Sequence, residues 1–213
     1  MNRSPDSSEG GAAEVAEAAD AAEADAHLNE IRTGSEQVYD GAFLHVYRDT
    51  VRLPGGGSAT REFIRHPGAV MIVPIEADGR LVLERQFRYP LDRVLLEFPA
   101  GKIDPGESTL ECARRELLEE TGLRAREWAL AGRMHNTPAY SDEFIEMWFA
   151  RGLTQGDQQL DPGEYIEVVR LEEAELHARA ARAEVTDAKT LVALLKLEQW
   201  RSGAWAPAWQ TAD

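Results

Sequence analysis

The sequence contains few of the features that anchor a chain by covalent bonds or in a membrane. Cys112 is the single cysteine among 213 residues, which excludes an intramolecular disulfide and a cysteine-rich zinc site. The longest apolar run, Ala69–Ile75, is far shorter than the roughly 20 residues that a membrane-spanning helix needs. The N-terminus has no apolar stretch behind a basic region, so a secretory signal is not expected. These absences predict a soluble, cytoplasmic protein without a membrane partner.

Basic residues are scarce as well. The chain has 23 Lys and Arg residues against 38 Asp and Glu residues, which gives a formal net charge of −15 and a pI near 4.8. A surface of this sign repels nucleic acids and anionic membranes, so we expect no nucleic-acid partner. A polyphosphate substrate stays compatible with the composition, because a bound cation can reverse the local field.

The first 34 residues differ in composition from the rest. Residues 1–30 contain eight acidic side chains and one arginine, and they supply −7 of the total charge. Nine of the sixteen residues from Gly11 to Ala26 are alanine, so the segment has almost no large apolar side chain to bury. Core burial therefore cannot offset the entropy that ordering would cost. We predict a disordered, acidic, Ala-rich tail over residues 1–34; a partner-binding helix is the alternative.

From residue 35 onward the pattern is that of a mixed α+β protein. Turn signals such as Asp40-Gly41 and Asp78-Gly79 separate stretches rich in aromatic and β-branched residues, as in β-hairpins. We predict an N-terminal β subdomain over residues 35–66, a main domain over residues 67–200 and a C-terminal tail over residues 201–213. The predicted strands are Gln37–Tyr39, Ala42–Arg52, Ala59–Arg65, Ala69–Ile75, Leu81–Phe87, Val94–Phe98, Trp128–Met134, Phe144–Ala150 and Tyr165–Arg170. The predicted helices are Ser108–Thr121, Glu172–Ala183 and Ala188–Trp200.

Three carboxylates crowd one turn of the predicted helix Ser108–Thr121. Glu116, Glu119 and Glu120 are related by three- and four-residue spacings, on the side away from apolar positions such as Leu117. Like charges at these spacings destabilise an isolated helix, and anions are also unfavourable near a helix C-terminus. Hard oxygen ligands without His or Cys favour Mg²⁺, with Mn²⁺ as a substitute, over Zn²⁺. The cluster therefore indicates a divalent-metal site, although a solvated helix face gives the same pattern.

The spacing around this helix is similar to the Nudix box. Gly101 is followed after five residues by Glu107, and seven residues later by the run Arg115-Glu116-Leu117-x-Glu119-Glu120-x-Gly122-Leu123. Residues 85–90, 96–101 and 163–168, together with Pro138, resemble the ADP-ribose pyrophosphatase branch of the Nudix superfamily. The resemblance covers roughly residues 36–200. It implies a Nudix fold, in which mixed β-sheets pack between helices as an α/β/α sandwich.

This resemblance implies that the protein hydrolyses ADP-ribose to AMP and ribose 5-phosphate with a divalent metal ion. A diphosphate repels an attacking hydroxide, so catalysis must neutralise phosphate charge and place an acidified water in line. Carboxylates that hold metal ions can do both. Two alternatives stay open: a Nudix hydrolase that prefers another nucleoside diphosphate sugar or a dinucleotide, and a non-catalytic nucleotide-sensing Nudix module. The intact carboxylate cluster argues against the second alternative.

The resemblance also implies roles for individual residues. The expected metal ligands are Glu116, Glu120, Glu164 and the backbone carbonyl of Ala100. The expected catalytic residues are Glu119, Glu164 and Arg115. Glu164 matches the additional acidic residue of the branch, which can bind metal, position the water or accept its proton. For Glu119, a structural ion pair with Arg115 is the alternative.

The expected substrate contacts are Phe43, Arg61, Arg88, Thr137 and Pro138. Arg88 is similar to an arginine that meets the diphosphate, where a guanidinium suits phosphate oxygens. Phe43 lies where the branch often places an aromatic ring against adenine; an ordinary sheet residue is the alternative. Arg61 replaces a second aromatic of some relatives, which leaves the base preference open, although arginine can stack on a base. Because the N-terminal subdomain of the branch commonly exchanges between protomers, a homodimer through residues 35–66 is expected.

Overall fold

A computed structural model describes residues 24–211 of the chain. The chain divides into two compact units, the first ending at Arg65 and the second beginning at His66. Each unit contains its own β-sheet. Residues 1–23 of the predicted tail, with its helical alternative, lie outside the described residues.

The first unit contains a three-stranded antiparallel sheet in the order β1-β2-β3. Its strands are β1 (Ile31–Asp40), β2 (His45–Arg52) and β3 (Ser58–Arg65). β1 begins inside the predicted tail, because the β-branched Ile31 and Thr33 favour a strand and Ile31 pairs with Arg52 of β2. The predicted disordered tail is therefore wrong for residues 31–34, which belong to β1. Residues 42–44, predicted as strand, form the loop between β1 and β2.

The second unit contains a mixed sheet of eight strands. The strands are β4 (Ala69–Ile75), β5 (Leu81–Arg88), β6 (Arg93–Glu97), β7 (Ala100–Lys102), β8 (Leu123–Met134), β9 (Ile145–Gln155), β10 (Ile166–Leu171) and β11 (Gln210–Thr211). Their order is β10-β5-β4-β9-β8-β11, with β6 beside β5 and β7 beside β4. β4 and β9 run parallel, and the other pairs are antiparallel.

Helices cover both faces of this sheet. They are α1 (Thr109–Thr121), α2 (Glu173–Ala181) and α3 (Ala188–Arg201). Side chains alternate along the central strand β4, so Met71 and Val73 pack with α2 and α3, whereas Val70 and Ile72 pack with α1. The predicted α+β sandwich with a small N-terminal β unit is confirmed. No helix within residues 24–211 is long and apolar enough to cross a membrane.

The chain after α3 is part of the second unit. β11 pairs with the edge strand β8. The ring of Trp200 lies 5.7 Å from the rings of Phe149 and Trp209, measured between centroids. Residues 201–211 therefore pack onto the sheet instead of forming the C-terminal tail predicted over residues 201–213. The physical reason is the aromatic surface that these tryptophans bury.

Candidate functional site

Helix α1 carries the carboxylate cluster, and local sequence fixes both of its ends. The Glu111 N–H donates to Ser108 Oγ at 3.3 Å, and the Ser108 N–H donates to the Glu111 carboxylate at 2.8 Å, which forms a capping box. Gly122 ends the helix in the left-handed conformation, with φ of 72°. Between these ends, Cys112 and Leu117 are buried against the sheet. The caps and the buried face together fix which side chains α1 directs toward β7.

Glu116 and Glu120 are buried instead of lying on a solvated helix face. The two residues are 9% and 4% exposed. Glu120 Oε2 accepts a hydrogen bond from the Ala100 N–H, at the start of β7, at 3.0 Å. Glu119 is half-buried and lies nearer to solvent. For Glu116 and Glu120, the alternative of a solvated helix face is therefore wrong.

The Arg115 guanidinium connects α1 to the loop that precedes it. Nε and Nη2 donate to the two carboxylate oxygens of Glu107, each at 2.9 Å. Nη1 donates to Glu116 Oε1 at 2.8 Å and to Glu119 Oε2 at 3.1 Å. The hydrogen bonds from Arg115 lower the pKa of Glu107 to about 2. Glu119 thus makes the ion pair that the sequence offers as the alternative to a catalytic role.

Burial makes the Glu116 and Glu120 carboxylates costly to ionise. It raises the pKa of Glu116 to about 7, against the attraction of Arg115. Burial raises the pKa of Glu120 well above its ordinary value, and repulsion from Glu84 and Glu116 raises it further. Raised carboxylate pKa values in a cluster are typical of a site that binds a cation or transfers protons.

Two more carboxylates act on this pair from other elements. Glu164 is half-buried in the loop before β10, where its Oε2 accepts the Asp161 N–H at 3.3 Å. Its charge contributes to the raised pKa of both Glu116 and Glu120. Glu84, on β5, is a further neighbour of Glu120. No sequence signal marks Glu84, because the first polar residue after an apolar run resembles the end of a strand.

Arg88, at the end of β5, is held in place by Glu97. Its Nε and Nη2 donate to the two oxygens of Glu97 at 2.8 Å each, and Lys189 of α3 also binds this carboxylate. Burial alone would raise the pKa of Glu97, but Arg88 and Lys189 hold it below its ordinary value. Glu97 is 1% exposed, whereas 39% of the Arg88 side chain is exposed. A fixed carboxylate therefore positions a guanidinium that still reaches solvent. Glu97 belongs to the motif at residues 96–101, whereas Lys189 has no sequence signal.

The other predicted substrate contacts lie in loops and in the first unit. Thr137 and Pro138 occupy the loop between β8 and β9, where the Thr137 carbonyl accepts two backbone N–H groups of its own turn at 3.0 Å each. In the first unit, Phe43 is exposed in the β1–β2 loop. Arg61, on β3, donates to the carboxylate of Glu30. That these four residues bind the substrate stays a prediction.

The donor set around α1 fits a hard divalent cation. Within residues 24–211, no three His, Cys, Asp or Glu side chains are gathered, as they stand, into an arrangement that could hold a metal ion, so Glu164 does not complete a three-acid set with Glu116 and Glu120. Two carboxylates and the Ala100 carbonyl still suit Mg²⁺, which often takes one or two carboxylates and keeps several waters. Both oxygens of the buried Glu84 lack a hydrogen-bond partner among the described residues, so this carboxyl group could accept a further ligand.

Gly101 leaves the space that the Glu116 carboxylate occupies. A methyl group at this position would overlap that carboxylate, so Gly101→Ala must displace it from the position in which it accepts the 2.8 Å hydrogen bond from Arg115. Because only the end of a flexible side chain moves, we expect a free energy of unfolding within about 1 kcal/mol of wild type. Turnover in the hydrolysis that the family resemblance implies should fall by about 10- to 100-fold. Steady-state kinetics and thermal unfolding measure the two effects.

Gly55→Ala is the matched control for this substitution. A methyl group at Gly55 meets no heavy atom within 4 Å, so the same chemical change is made without a collision. Wild-type turnover in Gly101→Ala would mean that catalysis does not depend on where Glu116 lies.

Comparisons with known proteins agree with this geometry. A family model described as the NUDIX domain matches residues 65–192, and one described as the nucleoside diphosphate sugar hydrolase N-terminal domain matches residues 30–64. The chain is 34% identical over 173 residues to the ADP-ribose pyrophosphatase of Bacillus subtilis (strain 168), covering 80% of this chain and 94% of that protein. It is 33% identical over 168 residues to the methanol dehydrogenase activator of Bacillus methanolicus, covering 77% and 90%. The crystal structure of an ADP compounds hydrolase, 28% identical, superposes with a TM-score of 0.75 and covers 83% of this chain and 96% of that one.

Proposed function

Because the chain belongs to the Nudix family, we propose that it hydrolyses ADP-ribose to AMP and ribose 5-phosphate with the help of a divalent metal ion. The observation that carries this proposal is the buried pair Glu116 and Glu120 beside Ala100, which supplies the negative charge that such an ion needs. The names of the Bacillus subtilis relative and of the similar crystal structure support an ADP-linked substrate. We also propose that the protein is located in the cytoplasm, as expected from the sequence.

Mg²⁺ is the proposed ion, with Mn²⁺ as a substitute. Glu116, Glu120 and the Ala100 carbonyl would hold it, since oxygen donors without nitrogen or sulfur suit these two metals. Glu164, the further ligand that the family resemblance implies, is proposed as the proton acceptor instead, because no three acidic side chains within residues 24–211 are gathered around one point. When bound, the ion neutralises phosphate charge and acidifies a water molecule.

Arg88 is proposed to bind the diphosphate. Glu97 engages its Nε and Nη2, while Nη1 makes no hydrogen bond within residues 24–211. The guanidinium therefore keeps one nitrogen for a phosphate oxygen, and its orientation is fixed before the substrate arrives. Phe43 and Arg61 are proposed to contact the base, and Thr137 and Pro138 the terminal ribose.

Glu164 is the proposed acceptor of the water proton. In the reaction, the water oxygen bonds to one phosphorus, the bridging P–O bond breaks, and a proton must leave the water. The Glu119 carboxylate is engaged by Arg115, which favours a positioning role for Glu119 and Arg115 over direct proton transfer. Glu164 lies on a loop, and its charge reaches both Glu116 and Glu120, so it is the better placed base.

The proposal is tested by incubating the purified protein with Mg²⁺ and a panel of diphosphates. The panel contains ADP-ribose, a hexose nucleotide and a dinucleotide, and products are identified by chromatography against AMP and ribose 5-phosphate standards. The highest kcat/KM is expected for ADP-ribose. Cleavage of another panel member without turnover of ADP-ribose would remove the substrate assignment. Nucleotide binding without hydrolysis in either Mg²⁺ or Mn²⁺ would support the nucleotide-sensing alternative.

We also propose that the protein is a homodimer through its first unit. Every residue of β1 is exposed, and Asp49 and Val51 are the only buried residues among those described in this unit. Exposed apolar side chains include Ile31, Val38 and Tyr39. A three-stranded sheet with so little buried surface is poorly stabilised by itself, and exposed apolar side chains on such a sheet are candidates for an interface. A second copy of the chain would cover these side chains.

The expected mass in solution is twice the 23.6 kDa chain mass, measured by size-exclusion chromatography with light scattering. Val38→Glu should shift the protein toward monomer, because it places a charge among the exposed apolar side chains of β1, whereas Glu62→Gln, at an exposed polar position of β3, should not. A wild-type protein that is monomeric at micromolar concentration would contradict the proposal.

A further inference from the structure

Glu84 is a buried carboxylate that the residues around it leave unpaired. It is 0% exposed, and neither of its oxygens accepts a hydrogen bond from any described residue. By contrast, the buried carboxylates of Glu97 and Glu146 are each bound by an arginine. A buried carboxylate without a partner is costly, and folded proteins rarely leave one. Something other than the described residues therefore completes the surroundings of Glu84.

The position of Glu84 on β5 directs it toward helix α1. Side chains two residues apart in a strand lie on the same face, so Glu84 shares the face of Val82. Val82 packs in the cluster that contains Leu117 of α1. Repulsion from Glu84 also raises the pKa of Glu120. The two carboxylates therefore belong to one buried acidic cluster, with Glu84 supplied by the sheet and Glu120 by the helix.

The nearby basic side chains are already engaged elsewhere. Arg88 and Lys189 attract Glu84, but their hydrogen bonds to a glutamate go to Glu97. Burial raises the pKa of Glu84, so a proton neutralises it in the metal-free protein, but the protonated carboxyl still has no hydrogen-bond partner among the described residues. A cation from solution that displaces the proton would instead be bound by its oxygens. Two carboxylates with additional waters suit Mg²⁺ or Mn²⁺, which are hard cations that prefer oxygen ligands.

We propose that Glu84 binds a divalent cation together with Glu120. This inference rests on the proposed function, because it assumes that the same acidic cluster holds the catalytic metal. It adds a ligand from strand β5, outside the helix and loop residues that the family resemblance implies. Because Glu84 and Glu120 lie on a strand and a helix and not on loops, we expect the cation to bind in the absence of nucleotide.

The experiment measures Mn²⁺ binding to metal-free, full-length protein without nucleotide. Electron paramagnetic resonance reports free Mn²⁺, and calorimetry gives the stoichiometry. Glu84→Gln keeps the shape of the side chain and removes its charge, so the affinity for Mn²⁺ is expected to fall by about tenfold or more. The increase in melting temperature that Mn²⁺ causes in the wild type should shrink in the variant, since a ligand that binds the folded state stabilises it.

Glu127→Gln is the control for the loss of one glutamate. Glu127 lies on β8, which β4 and β9 separate from β5, and it pairs with Arg126 and Arg151. The Glu127→Gln variant should therefore bind Mn²⁺ with the affinity of the wild type. If Glu84→Gln does not fold, Glu84→Asp keeps the charge but shortens the side chain, and it should weaken Mn²⁺ binding by a similar factor.

Unchanged Mn²⁺ affinity in the folded Glu84 variant overturns the inference, and so does a wild-type protein that binds no Mn²⁺ without nucleotide. Neither result bears on whether ADP-ribose is cleaved. Conversely, the proposed function fails if no diphosphate is hydrolysed with metal present, even when Mn²⁺ binding depends on Glu84.

Discussion

Replacement of Glu120 by glutamine is expected to lower the rate of ADP-ribose hydrolysis by about a thousandfold or more, which corresponds to about 4 kcal/mol. The Glu120 carboxylate is buried and accepts a hydrogen bond from the Ala100 N–H at 3.0 Å. The glutamine carbonyl can keep that hydrogen bond, but it cannot give a full negative charge to a divalent ion. Without that ion, the charge of the diphosphate would oppose the attacking water. Steady-state kinetics of the purified variant at saturating Mg²⁺ measure the loss.

Glu127→Gln separates this effect from the general cost of losing a carboxylate. Its side chain pairs with Arg126 and Arg151 at the other end of the sheet, so kcat should stay at the wild-type value. Circular dichroism and thermal unfolding establish that both variants fold. A wild-type rate in folded Glu120→Gln would mean that α1 does not hold the catalytic ion, and the proposed mechanism would then be wrong.

Helix α1 and its carboxylates could be predicted from the sequence because the information is local. The spacing of Glu116, Glu119 and Glu120 reports their positions around one helix, whatever the rest of the chain does. The same spacing reports nothing about burial. Only the packing of α1 beside β7 shows that Glu116 and Glu120 are shielded from solvent while Glu119 is held by Arg115.

Glu84 and Lys189 could not be assigned from local pattern, since their roles depend on contacts between distant segments. For Glu97, the motif at residues 96–101 marks the position but not its pairing with Arg88 and Lys189. Glu84 follows Leu81-Val82-Leu83, and a charged residue there is typical of a strand that is reaching the surface. Lys189 lies at the start of a helix, where lysine is usually solvated, yet it binds Glu97 from 92 positions away. The strand pairing of β5 with β6 and the packing of α3 bring these groups together.

The ends of several strands are also determined by pairing with neighbouring strands and not by the β-propensity of their residues. β8 begins at Leu123, directly after α1, whereas the sequence predicts a strand from Trp128. The added residues pair with the end of β9, which extends to Gln155. A register between two strands supplies hydrogen bonds that make a polar segment such as residues 123–127 extended, and such pairing is not visible in either segment alone.

The second large effect concerns stability: metal-free protein is expected to become less stable as the pH rises from about 5 to about 10. The pKa is raised to about 7 for Glu116, to about 8 for Glu84 and to about 10 for Glu120, from an ordinary value of 4.5. Between the ordinary and the raised values, the folded protein holds protons that the unfolded chain has released. Raising the pH therefore favours unfolding, by about 1.4 kcal/mol for each tenfold difference in proton affinity.

Divalent ions should oppose this loss. A cation that binds the ionised carboxylates of the folded protein stabilises it, and more so at higher pH, where fewer protons compete for the same oxygens. Urea unfolding at several pH values, with EDTA in one series and Mg²⁺ in the other, gives both profiles. The difference in the free energy of unfolding between the Mg²⁺ series and the EDTA series should increase as the pH rises.

Other acids do not produce this slope, because the shift in their pKa has the opposite sign. The pKa values of Glu97 and Glu107 are lowered, so both acids stabilise the folded protein above pH 4.5 and lose that contribution only under more acidic conditions. Glu120→Gln removes the acid with the highest pKa and should flatten the metal-free profile above about pH 7. Glu127→Gln should leave the slope unchanged, since hydrogen bonds from Arg126 and Arg151 lower the pKa of Glu127. A wild-type profile in EDTA that is flat or rises over this interval would contradict the buried acidic cluster on which the metal assignment depends.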